Sequence, residues 1–246
     1  RLRLDFVIVN GENAAHGFGI TSKICQEFYT LGVDVITTGN HVWDQREILT
    51  YIENDVRLLR PLNYPRGAPG RGAVVYDGPG GRKILVMQLM CRLFMDPLDD
   101  PFAAMDAVLS TYRLGERVQA VIVDIHGEAS SEKMALGHYA DGRASLVVGT
   151  HTHVPTADAQ ILPGGTAYQT DAGMCGDYDS VTGVLKHTSI ARFVRKLPSE
   201  RLTPAEGEAT LCGLYLETDE VSGLAKVVQP VRVGGRLAQA LPDGWE

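Results

Sequence analysis

Five apolar runs in this chain stop at polar clusters. Residues 5–10 lead into Asn10-Gly11-Glu12-Asn13, 33–38 into Gly39-Asn40-His41, and 118–125 into His126-Gly127-Glu128. Residues 145–148 lead into Gly149-Thr150-His151-Thr152-His153, and 166–169 into Thr170-Asp171. Apolar runs that alternate little belong to strands covered on both faces. In open α/β sheets, ligands bind at the carboxyl ends of such strands.

The segments between these runs agree with that class. Thr21 can cap a helix whose Ile24, Phe28 and Leu31 recur at helical spacing, with Gly32 just past its end. Residues 43–53 read as a second helix and 56–59 as extended, so the first sixty residues follow a β-α-β-α-β pattern with a parallel sheet. Residues 72–76 and 83–90 flank Gly78-Pro79-Gly80-Gly81 and read as a hairpin. Helices are predicted over 102–112 and 131–139, and an antiparallel pair over 209–217 and 225–233. No linker or repeat divides the 246 residues, so one domain is expected over 1–246.

Composition excludes several classes. The longest apolar stretches, such as 84–90, fall well short of the roughly 18 residues a membrane helix needs, so no membrane partner is expected. A net charge of −7 disfavours a grip on extended nucleic acid, though not on a small phosphate-bearing substrate. Cys25, Cys91, Cys175 and Cys212 are scattered and form no CxxC pair, which points to reduced thiols and a cytoplasmic location.

All five clusters offer carboxylate, amide oxygen or imidazole, and the candidate ligands come from the first four. A thiolate-free O/N set suits Mn, Fe or Zn in a working site better than a structural zinc. Glu12 has two oxygens and could bridge two ions. His151 and His153, two apart, would point the same way on an extended backbone. Two ions about 3.5–4 Å apart can clamp a phosphate and activate a water for in-line attack. Each residue alone has a plainer reading. Glu12 and Asn13 could cap a helix, Asn40 could hold a turn, and His126 could be a satisfied core histidine. Convergence of four strand ends outweighs these. His16, in a Gly-rich segment, could approach a phosphate or mark a turn. His138 and His187 read as surface or structural residues, and Trp43 as core. Asp171 could orient a histidine or hold a turn, and spacing alone does not place Glu128 or Glu132.

NGENAAHG (10–17), TTGNHVWD (37–44), HGEASSEKMALGHYADGR (126–143) and GTHTHVPTADAQILPGGTAYQTDAGMCG (149–176) resemble the bacterial YmdB-like family. This is a branch of the calcineurin-like metallophosphoesterases. RPLNYP (60–65) and LFMDPLDDPFAAMDA (93–107) extend the resemblance over nearly the whole chain. It implies a four-layer α/β/β/α sandwich and a metal-dependent phosphodiesterase of 2′,3′-cyclic nucleotides such as 2′,3′-cAMP, in which a water on the metals attacks phosphorus. The implied cofactors are two divalent ions, Fe or Mn ahead of Zn or Mg. By motif, Glu12 would bridge them, Asn13 and His153 would serve one ion, and Asn40, His126 and His151 the other. His41 resembles the family histidine that protonates the leaving oxygen. The family's first strand ends in a Gly-Asp whose Asp is also a ligand, and no residue here matches it. About 25–30 residues carrying that Asp, one strand and one crossover helix, are therefore expected upstream of Arg1.

Three hypotheses follow: a dinuclear phosphodiesterase with a small phosphodiester substrate, a metal-deficient regulatory or binding homologue with little turnover, and a phosphomonoesterase or nuclease on the same scaffold. The first is favoured, and a homo-oligomer is compatible with each. If His151 and His153 are ligands, replacing either with Ala should lower both bound metal, counted by elemental analysis, and activity. Full occupancy in both variants would exclude that role.

Overall fold

The computed structural model describes residues 2–195 and 201–245. Strand β1 (Ile8–Asn10), helix α1 (Ser22–Thr30) and strand β2 (Val35–Thr37) open the chain. The Thr21 hydroxyl accepts from the Ile24 N–H at 3.3 Å, and Gly32 takes φ +94° past the helix end, as the cap pattern predicts. Helix α2 (Ile48–Asn54) is shorter than the predicted 43–53, because residues 41–47 form turns around His41. β1 and β2 are likewise shorter than the apolar runs that contain them. They pair in parallel, Asn10 opposite Thr37, with one further bridge from Ile36 to Leu58. Among the described residues β1 pairs with β2 alone.

The larger sheet begins with β3 (Ala73–Asp77) and β4 (Lys83–Met90), the predicted hairpin. After α3 (Pro101–Thr111) come β5 (Ala120–His126), α4 (Ser130–Tyr139), β6 (Leu146–Thr150), β7 (Gln160–Ile161) and β8 (Ala167–Gln169). The strand order is β3-β4-β5-β6-β8-β7, with the four central strands parallel. β9 (Gly176–Asp177), α5 (Lys186–Arg195), β10 (Ala209–Thr218) and β11 (Ala225–Val233) complete the chain. The last two strands form the expected antiparallel pair. The first sixty residues and this six-stranded sheet are thus not one sheet, which local β-α-β patterning could not reveal.

Side chains alternate across β4, as strand geometry requires. Leu85, Met87 and Leu89 pack with Met105 and Leu109 of α3 and Leu136 of α4. Ile84 and Val86 face the other way and pack with Val35 and Leu59. A further cluster joins Ile36 to Ile20, Cys25, Ile48 and Ile52, on the α1 and α2 side of the smaller sheet. A polar knot then fixes the two sheets at their carboxyl ends. Asp124, 4% exposed, accepts from Thr37 Oγ1 at 2.5 Å, Asn10 Nδ2 at 3.0 Å and Thr150 Oγ1 at 2.7 Å. Those donors come from β2, β1 and β6. Beside them, Gln88 Oε1 accepts from Thr38 N–H at 2.9 Å.

Buried donors that lose their acceptor forfeit solvation without return. Asp124→Leu, which orphans three, should lower unfolding free energy by at least about 3 kcal/mol. Exposed Glu116→Leu should change it by less than about 0.5 kcal/mol. Urea midpoints decide between these outcomes.

Candidate metal centre

Parallel register places Met90 beside His126 and His126 beside Thr150, so β4, β5 and β6 end level. His126 is fully buried there. Its Nδ1 lies 2.9 Å from Thr150 Oγ1. The Thr150 hydroxyl donates to Asp124, so it accepts from His126 Nδ1–H, and Nε2 is left facing the cleft. Around that nitrogen lie Glu12 Oε1 at 2.9 Å, Asn40 Oδ1 at 2.9 Å and His151 Nδ1 at 3.1 Å. Glu12 Oε1 and Asn40 Oδ1 are acceptors, and His151 Nδ1 presents a lone pair or a proton according to its tautomer. With Nδ1 protonated, a neutral His126 turns a lone pair at Nε2 towards these oxygens, and a divalent cation accepts lone pairs from the whole set. Glu12, His126 and His151 offer ligand atoms within 4.8 Å of one another, so the donor set fits a metal ion.

A second pair lies alongside. His153 Nε2 is 3.1 Å from Asn13 Oδ1, while its Nδ1 is tied to the Thr182 carbonyl at 2.8 Å. Every predicted ligand thus falls into one of two groups: Glu12, Asn40, His126 and His151, or Asn13 and His153. His151 and His153 do not lie on extended backbone, as their spacing suggested. Both are left-handed, with φ +99° and +67°, a conformation that costs a non-glycine residue about 1–2 kcal/mol. Each ring is instead aimed by its own turn. Gly39 allows the groups to close, because a Cβ there would lie 2.4 Å from Glu12 Oε1 and 2.5 Å from His126 Nε2.

His41 stands at the edge of this centre. Its N–H donates to Glu12 Oε1 at 3.1 Å, its Nδ1 lies 2.8 Å from Asp44 Oδ2, and Phe18 packs edge-on against its ring at 5.2 Å. Asp44 was missed from the sequence, although an acid three residues beyond a histidine is a readable signal. Glu128 reaches His151 Nε2 at 3.4 Å, whereas Glu132 turns away to accept from the amides of Arg92 and Leu93. His16, His138 and His187 are exposed and join neither group. Trp43 packs against Tyr64 and the cluster around α1 and α2.

A family model described as YmdB-like protein matches residues 1–231. The chain belongs to the YmdB-like family. It is 47% identical over 228 residues to a 2′,3′-cyclic-nucleotide 2′-phosphodiesterase of Bacillus subtilis (strain 168), covering 93% of this chain and 85% of that protein. A putative phosphatase/phosphodiesterase of Mycoplasma pneumoniae is 36% identical over 226 residues, covering 89% and 78% of the two chains. Among solved structures, a hypothetical protein from Thermus thermophilus superposes with a TM-score of 0.86 at 44% identity, over 95% of this chain and 89% of that one. A novel phosphatase from Mycoplasma pneumoniae superposes at 0.87 and 33%, over 94% and 83%. The YmdB-like chain is therefore an α/β protein with mixed sheets, as expected. Among its described residues, no helix is long and apolar enough to cross a membrane.

The site also shapes the acid response of metal-free protein. Burial, then the charge on His126, pushes the His151 imidazole down to about 4. The unfolded chain binds that proton near pH 6.5, so stability is lost as pH falls from about 6.5 to 4. Burial alone would raise the Glu12 carboxyl, but the charge and hydrogen bond of His126, with the His41 N–H, hold it at about 2. Its contribution is complete above about pH 4.5 and lost toward pH 2. In chelator-stripped protein, His151→Gln should gain about 3 kcal/mol on wild type between pH 7 and pH 4. Parallel pH slopes in urea unfolding would contradict this account.

Proposed function

We propose that this chain is a phosphodiesterase using two divalent ions to hydrolyse cyclic nucleotides such as 2′,3′-cAMP. Kinship with the Bacillus subtilis 2′,3′-cyclic-nucleotide 2′-phosphodiesterase supports the reaction class. The observation that carries the metal centre is the crowding of Glu12 Oε1, Asn40 Oδ1 and His151 Nδ1 around His126 Nε2, all within 3.1 Å. Asn40, His126 and His151 would hold one ion, Asn13 and His153 the other, and Glu12 would bridge them. Fe or Mn suits this set best, with Zn or Mg as alternatives. The three apolar clusters, on either side of the two sheets and between them, support a four-layer α/β/β/α arrangement of calcineurin-like type in one domain.

Two divalent ions held there would polarise the phosphoryl group and supply a water as nucleophile. The remaining work falls to side chains. Asp44 Oδ2 accepts from His41 Nδ1–H, which orients the ring with Nε2 free to act as the acid. His41 Nε2 then gives its proton to the departing ribose oxygen as the P–O bond breaks. The His41 N–H bond to Glu12 keeps this acid beside the ligands without making it one.

His41→Ala should keep its metal, fold normally and lose turnover by about 10²–10⁴. The loss should shrink for bis(p-nitrophenyl) phosphate, whose leaving group needs no proton. Equal losses on both substrates would remove the acid role, and metal loss would make His41 a ligand. The Mycoplasma pneumoniae relative's description as a phosphatase/phosphodiesterase also favours a second reading, phosphomonoester hydrolysis. Comparing p-nitrophenyl phosphate with the diester separates the two.

A further inference from the structure

Thr152 lies between His151 and His153, and a buried carboxylate holds it. Asp171, 1% exposed, accepts at Oδ2 from the Thr152 N–H at 2.9 Å, the Thr152 hydroxyl at 2.8 Å and the Lys133 ammonium at 3.0 Å. Its Oδ1 accepts from Gly173 N–H at 2.9 Å. Lys133, fully buried on α4, also donates to the Thr150 carbonyl at 3.2 Å. The Asp171 backbone fastens the far end of the loop, accepting from Thr156 N–H at 3.0 Å and donating to Thr156 Oγ1 at 2.9 Å. Gly149 lets β6 lie against this cluster, since a Cβ there would meet Thr170 O at 1.7 Å and Lys133 Cδ at 2.9 Å.

We propose that Asp171, seated on Lys133, is a positioning residue that sets the separation of His151 and His153 by gripping Thr152 between them. It acts through Thr152. Two left-handed histidines in one short loop need an outside constraint, because relaxation of either φ would swing its ring out of the site. A carboxylate with bonds on both oxygens cannot rotate, and the lysine beneath it neutralises its charge. Buried ion pairs are weak sources of stability compared with apolar residues of the same volume. The function that fits this pair is fixed direction. The inference rests on the metal-centre reading above.

Asp171→Ala could simply unfold the chain, so the decisive variants are at Thr152. Thr152→Ala removes the hydroxyl bond and leaves the ion pair intact, and Thr152→Ser restores it. In chelator-stripped protein titrated with Mn2+ by calorimetry, Thr152→Ala should weaken binding about tenfold or more. It should also lower kcat on bis(p-nitrophenyl) phosphate at unchanged KM and Tm, and Thr152→Ser should recover both. The double variant Lys133→Met with Asp171→Leu should fold and show the same weakening. Wild-type Mn2+ affinity in Thr152→Ala, or failure of Thr152→Ser to rescue, overturns the inference while leaving the metal centre standing. A wild-type chain that binds no Mn2+ overturns both.

Discussion

A single buried carboxylate holds the two sheets in register where the chemistry collects. Asp124 takes hydrogen bonds from Asn10, Thr37 and Thr150, so β1, β2 and β6 all close on β5 at one level. Apolar packing brings the sheets face to face, but such packing is non-directional and tolerates sliding. The Asp124 bonds do not tolerate it, because a buried donor without its acceptor is costly. They also reach the site. Thr150, held by Asp124, is the group that turns His126 so that Nε2 faces Glu12 and Asn40.

The proposed metal centre is assembled in the same manner, with four of its six candidate ligands held from behind. Thr150 lies behind His126, Glu128 behind His151, the Thr182 carbonyl behind His153, and the Gly17 carbonyl behind Asn13. Such partners fix ring orientation and tautomer. Strain is accepted where it is needed, in the left-handed backbone of His151 and His153, and the loop is fastened through Asp171. His41 differs. Its backbone touches Glu12, yet its side chain is oriented by Asp44, outside the ligand cluster.

Membership of the YmdB-like family agrees with this division between scaffold and site. The Thermus thermophilus protein keeps the fold at 44% identity and the Mycoplasma pneumoniae phosphatase at 33%. The overall fold therefore persists when more than half of the aligned positions differ. Core residues need only match volume and pattern. The polar groups at the strand ends must also match direction, because hydrogen bonds and metal coordination are both directional.

Much of this was legible in the chain itself. Apolar runs ending in polar clusters marked the strands and the end at which ligands gather, and Thr21, Gly32 and the Gly-Pro-Gly-Gly turn marked local boundaries. These are short-range effects of burial, capping and φ preference, which act within a few residues. What the sequence could not determine was the split into separate sheets, the left-handed turns at His151 and His153, and the burial of Lys133 against Asp171. Spacing two residues apart suggested extended backbone, but the Asp171 grip on Thr152 imposed another conformation. Nothing in the local sequence singles out Lys133, and only the packing of α4 sets it beside a carboxylate 38 residues away. The partners that decide these features are distant in sequence, and only the tertiary fold brings them within hydrogen-bond reach.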